Sequence, residues 1–125
     1  MCIEIGDGVL HTLPITNGYT IPPAIMRYDF GGGDLTDFMM RMLKMDGKPF
    51  ETTAEREIAR DIKERHCYVA IDYEAEMEKF RVSPSSLISS YEMPDGEIIR
   101  IGEERFKCAE ALFSPWIMGS SCPGI

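Results

Sequence analysis

The stretch TTAEREIARDIKERHCYVAI, residues 52–71, carries the clearest helix signal in the chain. Thr52 and Glu55 have the spacing of a capping box, in which each side chain accepts a hydrogen bond from the other residue's backbone N–H. Apolar residues then recur at helical spacing, which predicts an amphipathic helix with one buried face: Ala54, Ile58, Ile62 and Val69, with Ala70 beside them. The pattern predicts a helix that starts after Thr52 and packs on a core.

The opposite face of this helix carries Arg60, Lys63 and Glu64 at positions i, i+3 and i+4. Side chains at this spacing are neighbours on a helix surface. One interpretation is a solvated face with local ion pairs such as Asp61 to Arg65, each contributing roughly a few tenths of a kcal/mol. The other is a set of side chains that binds a ligand. The helix pattern by itself favours the solvated face, and the rest of the chain has to decide between the two.

The composition of the 125-residue chain is that of an ordinary globular domain, or of part of a larger one. The chain has no apolar run near the ~18 residues of a membrane span, and its start, MCIEIGDG, lacks the features of a signal peptide. Its net charge of −8 repels nucleic acid and anionic membranes, and no local basic patch offsets that charge. We therefore expect a cytoplasmic protein with neither nucleic acid nor a membrane as its partner.

The four cysteines, Cys2, Cys67, Cys108 and Cys122, are widely scattered and form no C-x-x-C pair. Together with only two histidines, this spacing is not that of a metal site. Two disulfides are possible, but the ordinary apolar content without a signal peptide favours free thiols in a reducing cytosol.

Two glycine-rich stretches are candidates for anion binding. In the first, Gly6 and Gly8 flank Asp7, which predicts a tight turn between strands whose backbone N–H groups can point at an anion. In the second, residues 31–34 (GGGD) separate a predicted strand over 24–30 from a predicted helix with apolar residues at Leu35, Phe38, Met39, Met42 and Leu43. The second stretch lacks the dinucleotide fingerprint and the P-loop lysine. Pattern alone favours a hairpin turn for the first stretch and a packing corner for the second.

The remaining segments are punctuated by turn signals. Asn17-Gly18 predicts a hairpin after a strand over 9–15, and Asp46-Gly47 predicts a helix end. The later elements are a helix over 73–80, a hairpin over 87–101 around Pro94-Asp95-Gly96, a helix over 103–113 with Phe113 inward, and a loop-like tail over 114–125.

Taken in order, these segments resemble the actin family over essentially the whole chain. The matching runs are 6–9 with His11 and Pro14, Gly18-Tyr19 and Pro22, Gly32 with 34–37, 52–58, 60–64, 67–70, 90–92, 94–96, 101–102, 104–106 and 110–113. The resemblance is to the middle part of an actin, in which a first phosphate loop and a catalytic glutamine would precede Met1 and the rest of the lower domain would follow Ile125.

The resemblance implies an α/β fold, α+β when taken as a fragment, that belongs to the actin-like ATPase (ribonuclease H-like) fold. Two β-hairpins with several packed helices are expected. Residues 1–33 would be part of subdomain 3 with the second phosphate loop, residues 34–119 would be subdomain 4, and residues 120–125 would return towards subdomain 3.

The resemblance also implies a nucleotide site for ATP or ADP with Mg²⁺. Its catalytic residue would be His11, which helps to place the attacking water, and Glu4 would act on the metal through water. The residues that would contact the nucleotide are Gly6, Asp7, Gly8 and Val9 at the phosphates, Gly32 at the nucleoside, and Arg60, Lys63 and Glu64 at the adenine and ribose. Guanidinium stacking and carboxylate acceptance of ribose hydroxyls suit these residue types.

Three residues depart from the family's pattern on the nucleotide side. Glu4 replaces an aspartate and is one methylene longer, which affects the strict octahedral shell of Mg²⁺. Ile5 replaces a serine and Gly33 an arginine, so a hydroxyl and a cation are lost. We expect nucleotide handling weaker than in a conventional actin.

The leading hypothesis is a fragment of a cytoskeletal protein of this family that, when complete, binds ATP and forms filaments with actin-like subunits or binds actin-binding proteins. The fragment alone is expected to lack ATPase activity. The alternative is a non-catalytic actin-like interaction module, or a degenerate relative without nucleotide turnover. A sugar kinase or a chaperone ATPase shares the fold at large, but the actin-like run over 52–70 argues against both.

Overall fold

The computed structural model of the chain describes residues 1–48 and 50–125, and Pro49 lies outside the described residues. These residues form four α-helices and three small antiparallel sheets, which is the predicted fold class. The chain divides into two compact units, Met1–Leu35 and Thr36–Ile125. The strands and helices are β1 (Cys2–Ile5), β2 (Leu10–Leu13), β3 (Ile15–Thr16), β4 (Tyr19–Thr20), β5 (Met26–Tyr28), α1 (Gly32–Met45), α2 (Thr53–His66), α3 (Tyr73–Val82), β6 (Ser89–Glu92), β7 (Ile98–Ile101) and α4 (Glu104–Glu110).

The first unit contains a three-stranded antiparallel sheet in the order β1-β2-β5 and a separate hairpin, β3–β4. At the tip of that hairpin Asn17 and Gly18 have φ values of 51° and 82°. Two successive positive φ values are what a two-residue type I′ turn requires. The hairpin predicted at Asn17-Gly18 is therefore confirmed.

Helix α1 begins in the first unit and continues into the second. Four members of its predicted apolar stripe, Leu35, Phe38, Met39 and Leu43, are buried, whereas the fifth, Met42, is only half-buried. The helix ends where Gly47 adopts a φ of 80°. The Lys48 N–H donates to the Leu43 carbonyl at 3.1 Å and the Gly47 N–H donates to the Lys44 carbonyl at 3.0 Å. This pair of bonds is a Schellman motif, which confirms the predicted helix end.

Helix α2 begins with the predicted capping box. The Glu55 N–H donates to Thr52 Oγ1 at 3.3 Å, and the Thr52 N–H donates to Glu55 Oε2 at 2.6 Å. The buried residues of α2 are Ala59 and Ile62, with Ile58 half-buried.

The predicted continuation of α2 to Ile71 is wrong, because the helix ends at His66. Cys67 has extended backbone angles, and the Tyr68 N–H donates to the Arg105 carbonyl at 3.1 Å rather than to the preceding helical turn. Val69 consequently lies outside the helix with 53% of its surface exposed. Ala54, at the other end, is also exposed, so neither residue belongs to the buried face that the spacing predicted.

The core of the second unit is centred on Phe106, which is fully buried on α4. The rings of Tyr68, Tyr73 and Phe80 surround it, with centroids 6.1, 5.9 and 6.4 Å away. Tyr73 and Phe80 lie on α3, which is a separate helix capped by Asp72. These contacts hold α3 and the segment after α2 against α4.

The predicted second hairpin is present as β6 and β7, with Gly96 at a φ of 88° in the turn. The helix predicted over 103–113 is shorter, because α4 ends at Glu110. Phe113 follows it in a turn and is 45% exposed, so its predicted inward position is wrong. Among the described residues, none of the four cysteines forms a disulfide. A hydrogen bond to Cys108 together with burial raises the pKa of the Cys67 thiol.

Candidate functional site

The Gly6-Asp7-Gly8 turn joins β1 to β2 in the first unit. It closes through the Gly6 N–H, which donates to the Val9 carbonyl at 2.9 Å. Within the first unit, no residue accepts a hydrogen bond from the backbone N–H groups of Asp7, Gly8 or Val9. Asp7 and Gly8 are exposed. Three successive backbone donors are thus available to an anion, which is the arrangement of an anion-binding turn.

Backbone hydrogen bonds hold this turn against the start of α1. The Gly32 N–H donates to the Gly6 carbonyl at 2.9 Å, and the Gly33 N–H donates to the Asp7 carbonyl at 2.8 Å. A Cβ atom on Gly31 would lie 2.4 Å from the Gly6 oxygen and 2.5 Å from the Asp7 oxygen. Residue 31 must therefore be glycine for the turn to approach the helix this closely. The glycine-rich corner has a packing role.

Gly33, one of the three departures from the family's pattern, lies directly beside Asp7. A Cβ atom at this position would lie 3.1 Å from Asp7 Oδ2 and 3.2 Å from the Asp7 carbonyl oxygen. Both distances are shorter than ordinary van der Waals contacts, so a side chain here would displace the turn by a few tenths of an ångström. Glycine at position 33 therefore leaves space that Asp7 fills.

His11 lies on β2, the central strand of the sheet. Glu4 on β1 and Arg27 on β5 are its directly paired neighbours. Paired residues in an antiparallel sheet share a face, with Cβ atoms roughly 5 Å apart. Arg27 also forms an ion pair with Asp29 at 3.0 Å. His11 thus stands between a carboxylate and a guanidinium on one face, while Ile5 belongs to the opposite face.

The first unit offers a metal ion few protein ligands. Among the described residues, no group of three or more His, Cys, Asp or Glu side chains is arranged to hold a metal ion. Glu4 is a single exposed carboxylate. This donor set suits a Mg²⁺ ion that takes most of its ligands from phosphate oxygens and water, as Mg²⁺ commonly does with nucleotides.

In the second unit, α2 brings together two of its three candidate residues. The Arg60 Nε donates to Glu64 Oε1 at 3.0 Å, and both side chains are more than half exposed. Lys63 points elsewhere, since its Nζ donates to Thr36 Oγ1 on α1 at 2.9 Å. Thr36 is only 1% exposed. Arg60 and Glu64 therefore form one exposed pair, whereas Lys63 contributes to the packing of α2 on α1.

The sequence interpretation missed two residues that position these groups. Gly31 could have been singled out, because three successive glycines between a strand and a helix indicate close backbone approach. Thr36 has no comparable signal, since its partner Lys63 lies far along the chain. Only the fold brings these two side chains together.

The fold and the turn define an α/β protein whose first hairpin ends in an N–H-rich glycine turn packed on a helix N-terminus. The family model described as Actin matches residues 1–123 of the 125-residue chain. The chain therefore belongs to the actin family, as the resemblance implied. Within the described part of the chain, no helix is both long enough and apolar enough to cross a membrane.

Proposed function

We propose that this chain is part of a cytoplasmic cytoskeletal protein that binds ATP or ADP with Mg²⁺ and assembles into filaments. Membership of the actin family supports this proposal. The observation that carries it is the turn at Asp7, Gly8 and Val9, whose backbone N–H groups have no acceptor in the first unit. In this proposed protein, residues 1–33 form part of subdomain 3, residues 34–119 form subdomain 4, and residues 120–125 return towards subdomain 3.

The proposed role of the first unit is to hold phosphate groups. The N–H groups of the turn donate to phosphate oxygens, and the bonds from Gly32 and Gly33 keep the turn in place before a ligand arrives. His11 accepts a hydrogen bond from a water molecule and orients it, and Glu4 holds water on the metal side. When bound, Mg²⁺ neutralises charge on the phosphate oxygens.

The proposed role of the second unit is to hold the adenine and ribose. Arg60 is already fixed by Glu64, so its planar guanidinium can stack on a base with little loss of side-chain freedom. The Glu64 carboxylate accepts hydrogen bonds from ribose hydroxyls. Lys63 can contact the nucleotide only if its ammonium group leaves Thr36 Oγ1. Otherwise it contributes to nucleotide binding only through its positive charge. Gly32 is the proposed contact to the nucleoside from the start of α1.

The phosphate role is tested by NMR on the ¹⁵N-labelled chain, titrated with MgATP, MgADP, pyrophosphate and adenosine. We expect the three phosphate ligands to shift the amide signals of Asp7, Gly8 and Val9. The amide of Gly18, in the other glycine turn of the first unit, is the internal control and should not move. Unchanged Asp7, Gly8 and Val9 signals at millimolar MgATP would contradict the phosphate role.

The nucleoside role is tested with Arg60→Ala and Lys63→Ala, using thermal stabilisation of the chain by MgATP as the readout. Arg65→Ala is the matched control, because Arg65 lies on the same helix in an exposed i, i+4 pair with Asp61. We expect stabilisation to decrease in the two variants and to persist in the control. Equal stabilisation in all three would refute the nucleoside role. Co-sedimentation with actin filaments without any effect of nucleotide would support the interaction-module alternative instead.

A further inference from the structure

An exposed apolar surface lies in the second unit, where the α2–α3 connection meets the segment after α4. Its apolar members, here called the loop surface, are Val69, Ala70, Ile71, Phe113 and Trp116. The exposed fractions of Val69, Ile71, Phe113 and Trp116 are 53%, 106%, 45% and 74%. Two depressions of about 350 and 570 Å³ adjoin it. Both are lined by Ile71, Tyr73 and Glu110, so the two form one continuous feature.

The loop surface is held in a fixed shape at both ends. The Tyr68 N–H donates to the Arg105 carbonyl at 3.1 Å, just before the loop. Asp72 caps α3 just after it, accepting a hydrogen bond from the Ala75 N–H at 3.0 Å. Between these points the apolar side chains are displayed on a short tethered segment. A surface that is already ordered loses little conformational entropy when a partner binds.

Three carboxylates border the loop surface: Asp72, Glu74 and Glu110. In the described part of the chain, none of the three lies within ion-pair distance of a cationic side chain. The nearby Lys107 is paired with Glu103 at 2.7 Å. The rim is therefore negatively charged without internal compensation. Such a rim attracts a cationic partner and repels an acidic one.

We propose that the loop surface is a docking site for a polypeptide segment in which bulky aliphatic side chains are flanked by lysine or arginine. The aliphatic side chains fill the two depressions beside Ile71, and the cations pair with the carboxylates of Asp72, Glu74 and Glu110. A second copy of this chain is a poor occupant of this surface, because a symmetric contact would bring the carboxylates of Asp72, Glu74 and Glu110 of both copies together. This site involves none of the residues proposed to bind nucleotide, so the two proposals stand or fall separately.

Trp116 provides a direct readout, because it is the single tryptophan of the chain and belongs to the loop surface. The probes are synthetic peptides without aromatic residues: one with leucines flanked by lysines, one with the lysines replaced by glutamates, and one with the leucines replaced by serines. We expect only the leucine–lysine peptide to shift Trp116 emission to shorter wavelength, with affinity that falls as salt is raised. Equal responses to the lysine and glutamate peptides, or to the leucine and serine peptides, would overturn the proposal.

Two variants locate the site. Ile71→Ser should weaken binding of the leucine–lysine peptide at least ~10-fold, because it removes a fully exposed aliphatic side chain between the depressions. Glu110→Gln should weaken it less and should reduce its dependence on salt. The matched controls are Val82→Ser and Glu78→Gln on α3, which lie outside the loop surface. If Ile71→Ser binds as Val82→Ser does, or if the chain dimerises through Ile71 without the peptide, the proposed occupant is wrong.

Discussion

Gly31 allows the turn at residues 6–8 to lie against the start of α1, and replacing it with alanine should detach that turn. The added Cβ would lie 2.4 Å from the Gly6 oxygen and 2.5 Å from the Asp7 oxygen. Both are backbone atoms, so no rotamer change relieves the overlap. The turn must move by about 1 Å to restore an ordinary contact, which lengthens the bonds from the Gly32 and Gly33 N–H groups.

The expected cost follows from those contacts. Two backbone hydrogen bonds contribute about 1 kcal/mol each, and overpacking adds about 1 to 3 kcal/mol, so Gly31→Ala should cost about 3 to 5 kcal/mol locally. At 1.4 kcal/mol per factor of ten, protection of the Gly32 and Gly33 amides from hydrogen exchange should fall roughly 100- to 4,000-fold.

Hydrogen exchange followed by NMR measures this loss residue by residue, which global melting cannot do in a chain of two compact units. Gly8→Ala is the matched control, because a Cβ at that position has no atom within 4 Å. The control should leave the protection of Gly32 and Gly33 unchanged. If Gly31→Ala retains the protection seen with Gly8→Ala, the close approach does not hold the turn and the reasoning is refuted.

Three further predictions concern the stability of the second unit. Burial and a hydrogen bond to Asp46 raise the pKa of Glu104, so the stability that protonated Glu104 contributes is lost as pH rises from the unfolded pKa of about 4.5 through the folded one. In urea denaturation from pH ~5 to ~8, Glu104→Gln should flatten this decline in stability, whereas Glu103→Gln at the half-buried neighbour should not. Ile62→Ala should reduce the free energy of unfolding by about 2 to 5 kcal/mol in the same assay, since Ile62 is fully buried, while Val69→Ala should cost under about 1 kcal/mol. Thr52→Ala should cost about 1 kcal/mol through loss of the capping box, and an unchanged midpoint would show that this cap contributes nothing.

Features set by a few neighbouring residues were predictable from the sequence. The capping box at Thr52 and the hairpin at Asn17-Gly18 depend on groups only a few positions apart, so residue type and spacing suffice. The end of α2 was not predictable in this way. It depends on the Tyr68 N–H reaching the Arg105 carbonyl on a helix much later in the chain, while the local apolar spacing continued to favour a helix.

The candidate site shows the same division between local and distant causes. The sequence indicated which residue types stand in the turn and on α2, and the family match agrees with the resemblance on which their proposed roles depend. It did not indicate where the side chains point. Arg60 meets Glu64 because they are one turn apart on a helix, but Lys63 meets Thr36 only because α2 packs on α1. Of the three charged residues predicted to form one group on α2, only Arg60 and Glu64 are paired on the exposed face. Lys63 is bonded to Thr36 instead.

This difference bears on how the proposed nucleotide interactions tolerate sequence divergence. The proposed phosphate donors are backbone N–H groups, and backbone hydrogen bonds hold their turn, so their position does not depend on the side chains of Glu4 and Ile5. The proposed nucleoside contacts depend on side chains that already have partners. Releasing the exposed Arg60–Glu64 pair costs at most about 1 kcal/mol, but releasing Lys63 also removes a hydrogen bond to a buried hydroxyl. Phosphate binding should therefore be weakened less by sequence divergence than adenosine binding is. We expect pyrophosphate to compete with MgATP at the turn more effectively than adenosine does.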